Sequence, residues 1–198
     1  MLVLNRRPGE SIYVEGDIDI SVLRATHQSV WLRIAGERIA PSVLLGATVL
    51  SPEELRLEVG APRRAWVDDQ GVRVEVAGHG HLSVVTHATF SFLCRPGQAA
   101  TVGEDLQLGV GPTEHGHPCL LLGGEAVGAP LRLALIRLAN SCVRLGIDAP
   151  GLRVHRKELW EALVAANTAA AGTGNDLSDA EPEITLPRGD DAPLRAAF

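Results

Sequence analysis

Large side chains are scarce in this sequence. In 198 residues there are one Met, three Phe, three Trp and one Tyr. Any core must therefore be built from Leu, Val, Ile and Ala. No apolar run approaches the roughly 20 residues a spanning helix requires, which excludes a helical membrane span. The opening Met1-Leu-Val-Leu is cut short by Arg6-Arg7-Pro8, so no secretory leader is expected and a cytoplasmic location follows. Cysteine is also sparse. Cys94, Cys119 and Cys142 are an odd set with no paired framework, as expected of reduced thiols. Nor is there an excess of basic charge. The formal net charge is −6, which by itself disfavours a nucleic-acid binder.

Glycine and proline, by contrast, are plentiful. They number 21 and 12, scattered between short apolar runs, a pattern of short strands and many turns. Much of the acidity is local. Residues 171–198 hold Asp176, Asp179, Glu181, Glu183, Asp190 and Asp191 against Arg188 and Arg195, a net of −4, so the body carries about −2 (−6 minus −4). A nearly neutral body can carry a basic patch. The tail itself combines low hydrophobicity, Gly, Pro and acid, and is expected to be disordered.

The period-two alternation is clear at both ends of the chain. Ile18, Ile20 and Val22 alternate with polar residues, Thr26-His-Gln28 reads as a hairpin tip, and Val30, Leu32 and Ile34 form the returning strand. Near the other end, Cys142 to Ile147 reads as a strand, Asp148-Ala-Pro-Gly151 as a turn and Leu152 to Val154 as a strand. A helix follows, with Leu159, Leu163 and, less regularly, Trp160 and Val164 at helical spacing. Between them, Ser51-Pro-Glu-Glu54 looks like a helix start. Val72, Val74 and Val76 are expected to pair with Leu82 to Val85 around Gly78-His-Gly80.

The run Val-Arg-Leu-Gly-Ile-Asp-Ala-Pro with Val-His-Arg-Lys-Glu-Leu resembles the second half of the carbon storage regulator family (CsrA/RsmA), small mRNA-binding proteins. Met1-Leu-Val-Leu-Asn-Arg-Arg-Pro-Gly-Glu10 resembles its first half. Internal echoes accompany this resemblance. Arg95-Pro-Gly-Gln98 repeats Arg7-Pro-Gly-Glu10 at an offset of 88 (96 minus 8), while Leu133–Ile147 repeats Ile20–Ile34 at an offset of 113. A tandem duplication is therefore expected. Copy one would span 1–60, with a degenerate end, and a connecting β segment 61–91. Copy two would span 92–170, with an insertion near 109–130, and 171–198 would be the tail.

What the resemblance implies is a mostly β protein. Its antiparallel strands would form an intrachain pseudo-dimer, with a C-terminal helix. The family is a homodimer of interlocked strands with two RNA sites. Here the first strand is expected to pair with the last, bringing Leu4, Arg6 and Arg7 beside Val154, Arg156 and Leu159 as one RNA-contact surface. The reciprocal surface keeps one Arg at Phe92-Leu-Cys-Arg95 and none at Leu44–Ala47, so one competent site per chain is expected. The implied partner is mRNA, through single-stranded GGA loops near a ribosome-binding site. Arg suits such loops because its planar fork reads guanine edges and phosphates.

No nucleophile triad, phosphate loop or dinucleotide fingerprint is present, so no enzyme activity is expected. His79/His81 and His115/His117 with Cys119 have metal-ligand types, but they lie far apart between glycines, so neither a metal nor a cofactor is expected. The rival reading is a protein-interaction module of the same fold that has lost RNA binding and docks a regulatory protein antagonist. Either a pseudo-dimeric monomer or a homodimer fits.

Overall fold

The computed structural model describes residues 1–15, 17–60, 62–69, 71–76, 89–103 and 105–172. Among these described residues, fifteen strands and one helix follow in order. They are β1 (Leu2–Arg6), β2 (Ser11–Val14), β3 (Ile18–Ala25), β4 (Ser29–Gly36), β5 (Ile39–Ser51), β6 (Glu54–Gly60), β7 (Pro62–Asp68) and β8 (Gly71–Val76), then β9 (Thr89–Cys94), β10 (Ala99–Val102), β11 (Leu106–Glu114), β12 (His117–Gly123), β13 (Leu131–Ala139), β14 (Cys142–Asp148), β15 (Val154–Arg156) and α1 (Lys157–Gly172). The protein is thus mostly β, antiparallel but for the β8–β10 pair and one isolated bridge, with a C-terminal helix. No described helix is long and apolar enough to cross a membrane. The tail expected to be disordered, 171–198, begins instead within α1, which runs to Gly172, and its remainder lies outside the described residues.

Two sheets make the body. One runs β1-β14-β13-β12-β11-β10-β8-β7, the other β15-β2-β3-β4-β5-β6-β9. Period-two alternation turns one face of each strand inward. Ile12, Ile20, Leu32, Ile34, Leu45 and Leu57 from one sheet join Leu108, Leu120, Leu122, Leu133 and Leu145 from the other in a single core. Each such buried side chain contributes roughly 1.5–3 kcal/mol, so aliphatic residues suffice where aromatics are few.

The strands recur at a fixed interval. β1 to β6 end at residues 6, 14, 25, 36, 51 and 60, and β9 to β14 at 94, 102, 114, 123, 139 and 148, intervals of 88, 88, 89, 87, 88 and 88. The pairing pattern recurs as well. β1 pairs with β14, setting Arg6 opposite Val143, and β9 pairs with β6, setting Cys94 opposite Leu55. Those residues are related by adding 88 to 6 and subtracting 88 from 143.

The turns repeat in atomic detail. Arg7 N donates to Glu10 Oε2 at 2.9 Å and Arg95 N to Gln98 Oε1 at 3.0 Å. Gly9 and Gly97 each hold positive φ and donate to the carbonyls of Val22 and Val110. Gly36 lies against the Asp17 carbonyl, and Gly124 against that of Asp105.

Four expectations need correction. The first strand does not pair with the last: β1 lies beside β14 and β15 beside β2, because the buried side of β1, Leu4 and Arg6, fits opposite Leu145 and Val143 in the β14 register. Segment 109–130, expected as an insertion within copy two, carries regular strands. It carries most of β11 and all of β12, in the seats that β3 and β4 occupy in the other sheet, and the resemblance of 133–147 to 20–34 joins β13–β14 to β3–β4, hairpins in different seats. Ser51–Glu54 is a tight turn between β5 and β6, where Ser51 Oγ accepts from Glu53 N, not a helix start. Val72, Val74 and Val76 pair with β7, while 82–85 lie outside the described residues.

The chain divides into two compact units, Met1–Ala162 and Leu163–Phe198. The described part of the second is helical to Gly172, with Thr168 Oγ1 donating back to the Val164 carbonyl at 2.9 Å.

Candidate nucleic-acid interface

Two sheet edges converge at the Arg7–Glu10 turn. β1 runs into this turn and β2 leaves it, while β15 lies antiparallel to β2 with Arg156 opposite Ile12 and Val154 opposite Val14. A backbone bond from Glu15 N to the Arg153 carbonyl, 2.8 Å, and one from Arg153 N to Glu15 Oε2, 3.1 Å, fix the approach of the late segment. Lys157, at the start of α1, pairs with Asp19 of β3. Trp160 stacks on Tyr13 with ring centroids 4.7 Å apart and planes 14° from parallel, and His155 tilts against Trp160 at 5.2 Å. Burial raises the Tyr13 hydroxyl above its ordinary pKa, and the Asp17 carboxylate that accepts its proton at 3.0 Å adds to the shift.

The six residues singled out from sequence fall into two groups. Arg7, Arg156 and Leu159 are exposed. Leu4 is buried in the core, Val154 packs half-buried against it, and Arg6 is 2% exposed. Arg6 is nevertheless the link between the two chain ends. Its Nη1 lies 3.7 Å from Glu10 Oε2 and 3.4 Å from Glu158 Oε1 in the first turn of α1. Its Nε and Nη2 are buried without a hydrogen-bond partner, as is His155 Nε2. An unmet buried donor costs about 1–3 kcal/mol, so the Arg6 guanidinium holds two N–H groups that donate to nothing within the described residues. An acceptor that reached them would recover that energy.

Sequence reasoning gave Tyr13 and Glu158 no role at the site. Neither has a motif of its own. Their importance appears only once the β15–β2 register brings His155 opposite Tyr13 and lays α1 over Arg6.

The related edge at the other end is built differently. Cys94 stands where Arg6 would, with its thiol on the Gln98 carbonyl at 3.0 Å, and Arg95 is held by Glu54 at 2.9 Å. β8 fills the place beside β10, running parallel to it, where β15 runs antiparallel to β2. Among the described residues no group of His, Cys, Asp and Glu could hold a metal. The pair His79 and His81 lies outside them.

Residues 1–41 match the family model of CsrA, the global regulator protein family. That segment covers β1 to β4 and the turn that carries Arg7. No solved structure matches the chain.

Proposed function

We propose that this protein is an RNA-binding regulator of translation of the CsrA type, which grips GGA-containing mRNA loops near a ribosome-binding site and acts by occlusion, with no covalent step. The observation that carries the reading is the junction of β1 and β15 at the Arg7–Glu10 turn, where Arg6 reaches across to Glu158. Arg7 and Arg156 supply exposed guanidiniums on either side, and Leu159 an exposed apolar edge. Leu4 and Val154 act from beneath, holding the strands that carry the cations. The CsrA match over residues 1–41 supports the same reading, since that family binds mRNA. The interval of 88 residues supports reading the chain as two copies, each lending its first strand to the other. Only one of the two resulting edges is cationic, so the reading assigns one RNA site per chain.

The test is a gel shift with a GGA-loop hairpin. Arg156→Ala is expected to weaken binding by about 1–3 kcal/mol, roughly 5- to 150-fold. If the contact is to phosphate, the slope of log affinity against log salt should also fall by about 0.7. Absence of wild-type binding at low salt defeats the reading. It would favour a protein-docking role, to which the net charge of −6 and the engagement of Arg6 by two carboxylates lend weight.

A further inference from the structure

Each sheet ends in two edge strands, and open edges invite pairing with another chain unless charge or cover blocks them. Three of the four edges carry charge. β1 has Arg6, β7 has Arg64, and β15 has Arg156. β9, Thr89-Phe-Ser-Phe-Leu-Cys94, has none. It pairs with β6 along its whole length, and no described strand is hydrogen-bonded to its other edge. Its inward residues Phe90 and Phe92 are only partly buried, with rings 5.8 Å apart, and its outward residue Leu93 is 56% exposed. β7 begins beside the Thr89 end of β9, since Gly60, paired with Thr89, is one residue from Pro62. On β7, Trp66 is 40% and Val67 73% exposed.

We propose that β9 pairs antiparallel with β9 of a second copy of this chain, joining two seven-stranded sheets across a two-fold axis. An uncharged strand can face itself with no like charges opposed, which an arbitrary partner would not require. Centred on Ser91, the pairing sets Ser91 against Ser91, Phe90 against Phe92 and Thr89 against Leu93 of the second copy. The cross-strand phenylalanines then extend the aromatic contact already present within each chain. A six-residue strand pair alone falls short of the roughly 1,200 Å² of a stable interface. Trp66 and Val67 at its flank supply further apolar surface.

The test is sedimentation equilibrium of the full chain over a micromolar range, with two variants at residues related by the interval of 88, Ser91→Lys on β9 and Val3→Lys on β1. Wild type and Val3→Lys are expected to dimerise reversibly and Ser91→Lys to remain monomeric, since two ammonium groups would meet at the axis. A wild type that stays monomeric, a Ser91→Lys dimer or a monomeric Val3→Lys each overturns the proposal. Should Ser91→Lys fail to fold, Ser91→Cys decides it. That variant should form an intermolecular disulfide under mild oxidation that wild type does not form, and its absence counts against the pairing.

Discussion

Arg6 gives up nearly all its contact with water and receives in return two carboxylates, neither closer than 3.4 Å. Glu158 is exposed and sits in the first turn of α1, where a negative charge is favoured by the helix dipole. A phosphate or a guanine edge seeking the Arg6 guanidinium must compete with it. Glu158→Gln is therefore expected to tighten binding of a GGA-loop hairpin several-fold in a gel-shift titration at fixed salt, and unchanged or weaker affinity would count against competition at this atom. The thiols follow burial in the same way. Burial pushes Cys94 up and Cys119 up to about 11, with the Glu114 carboxylate adding to the latter, while Cys142 is half-buried. Because a raised pKa keeps the unreactive thiol form, alkylation of native protein at pH 8 should modify Cys142 first and leave the other two until unfolding. Rapid labelling of Cys119 would contradict its placement.

At the scale of elements, turns rather than strands are the sensitive points. A methyl group on Gly36 would stand 2.6 Å from the Asp17 carbonyl oxygen, and on Gly124 it would overlap the Asp105 carbonyl at a φ of +91°. Gly36→Ala and Gly124→Ala are both expected to lower stability by about 1–3 kcal/mol, with Gly124→Ala the worse, as read by a denaturant melt. Equal stability of Gly124→Ala and wild type would contradict that close approach. The strands themselves were largely legible. The alternation of Ile18–Val22 and Val30–Ile34 predicts β3 and β4, and the Pro-Gly turn with the basic run after it predicts β15 and α1. The helix face was not. Leu159 and Leu163 have helical spacing yet lie exposed, while Trp160 makes the contact. The partner of β1 was not legible either. Register between residues 2 and 147 depends on which edge is left open after every local hairpin has formed, and no short window of sequence holds that information. Ser51-Pro-Glu-Glu54 misled because an N-cap residue followed by Pro also suits a tight turn.

For the whole molecule, asymmetry between two related edges is the main feature. The edge of β1 and β15 gathers guanidiniums and carboxylates, while the edge of β9 and β7 gathers Phe90, Phe92, Leu93, Trp66 and Val67. Substituting the polar edge and the apolar edge should therefore affect different measurements. Arg7→Ala is expected to reduce RNA affinity and leave the sedimentation profile of the wild type unchanged. A change in its association state would mean that the two edges are not separate surfaces.

The pairing of β1 with β14 also dictates when the protein can fold. β1 is made long before β14, so its seat does not exist until residue 148 has been made, and the outer side of β2 waits for residue 156. An emerging chain must carry an unpartnered Leu2–Arg6 until the strands between have been made, so the native sheet closes only once residues far along the chain are available. Such late, long-range closure is slow, and the nascent segment is the stretch that a chaperone would have reason to cover.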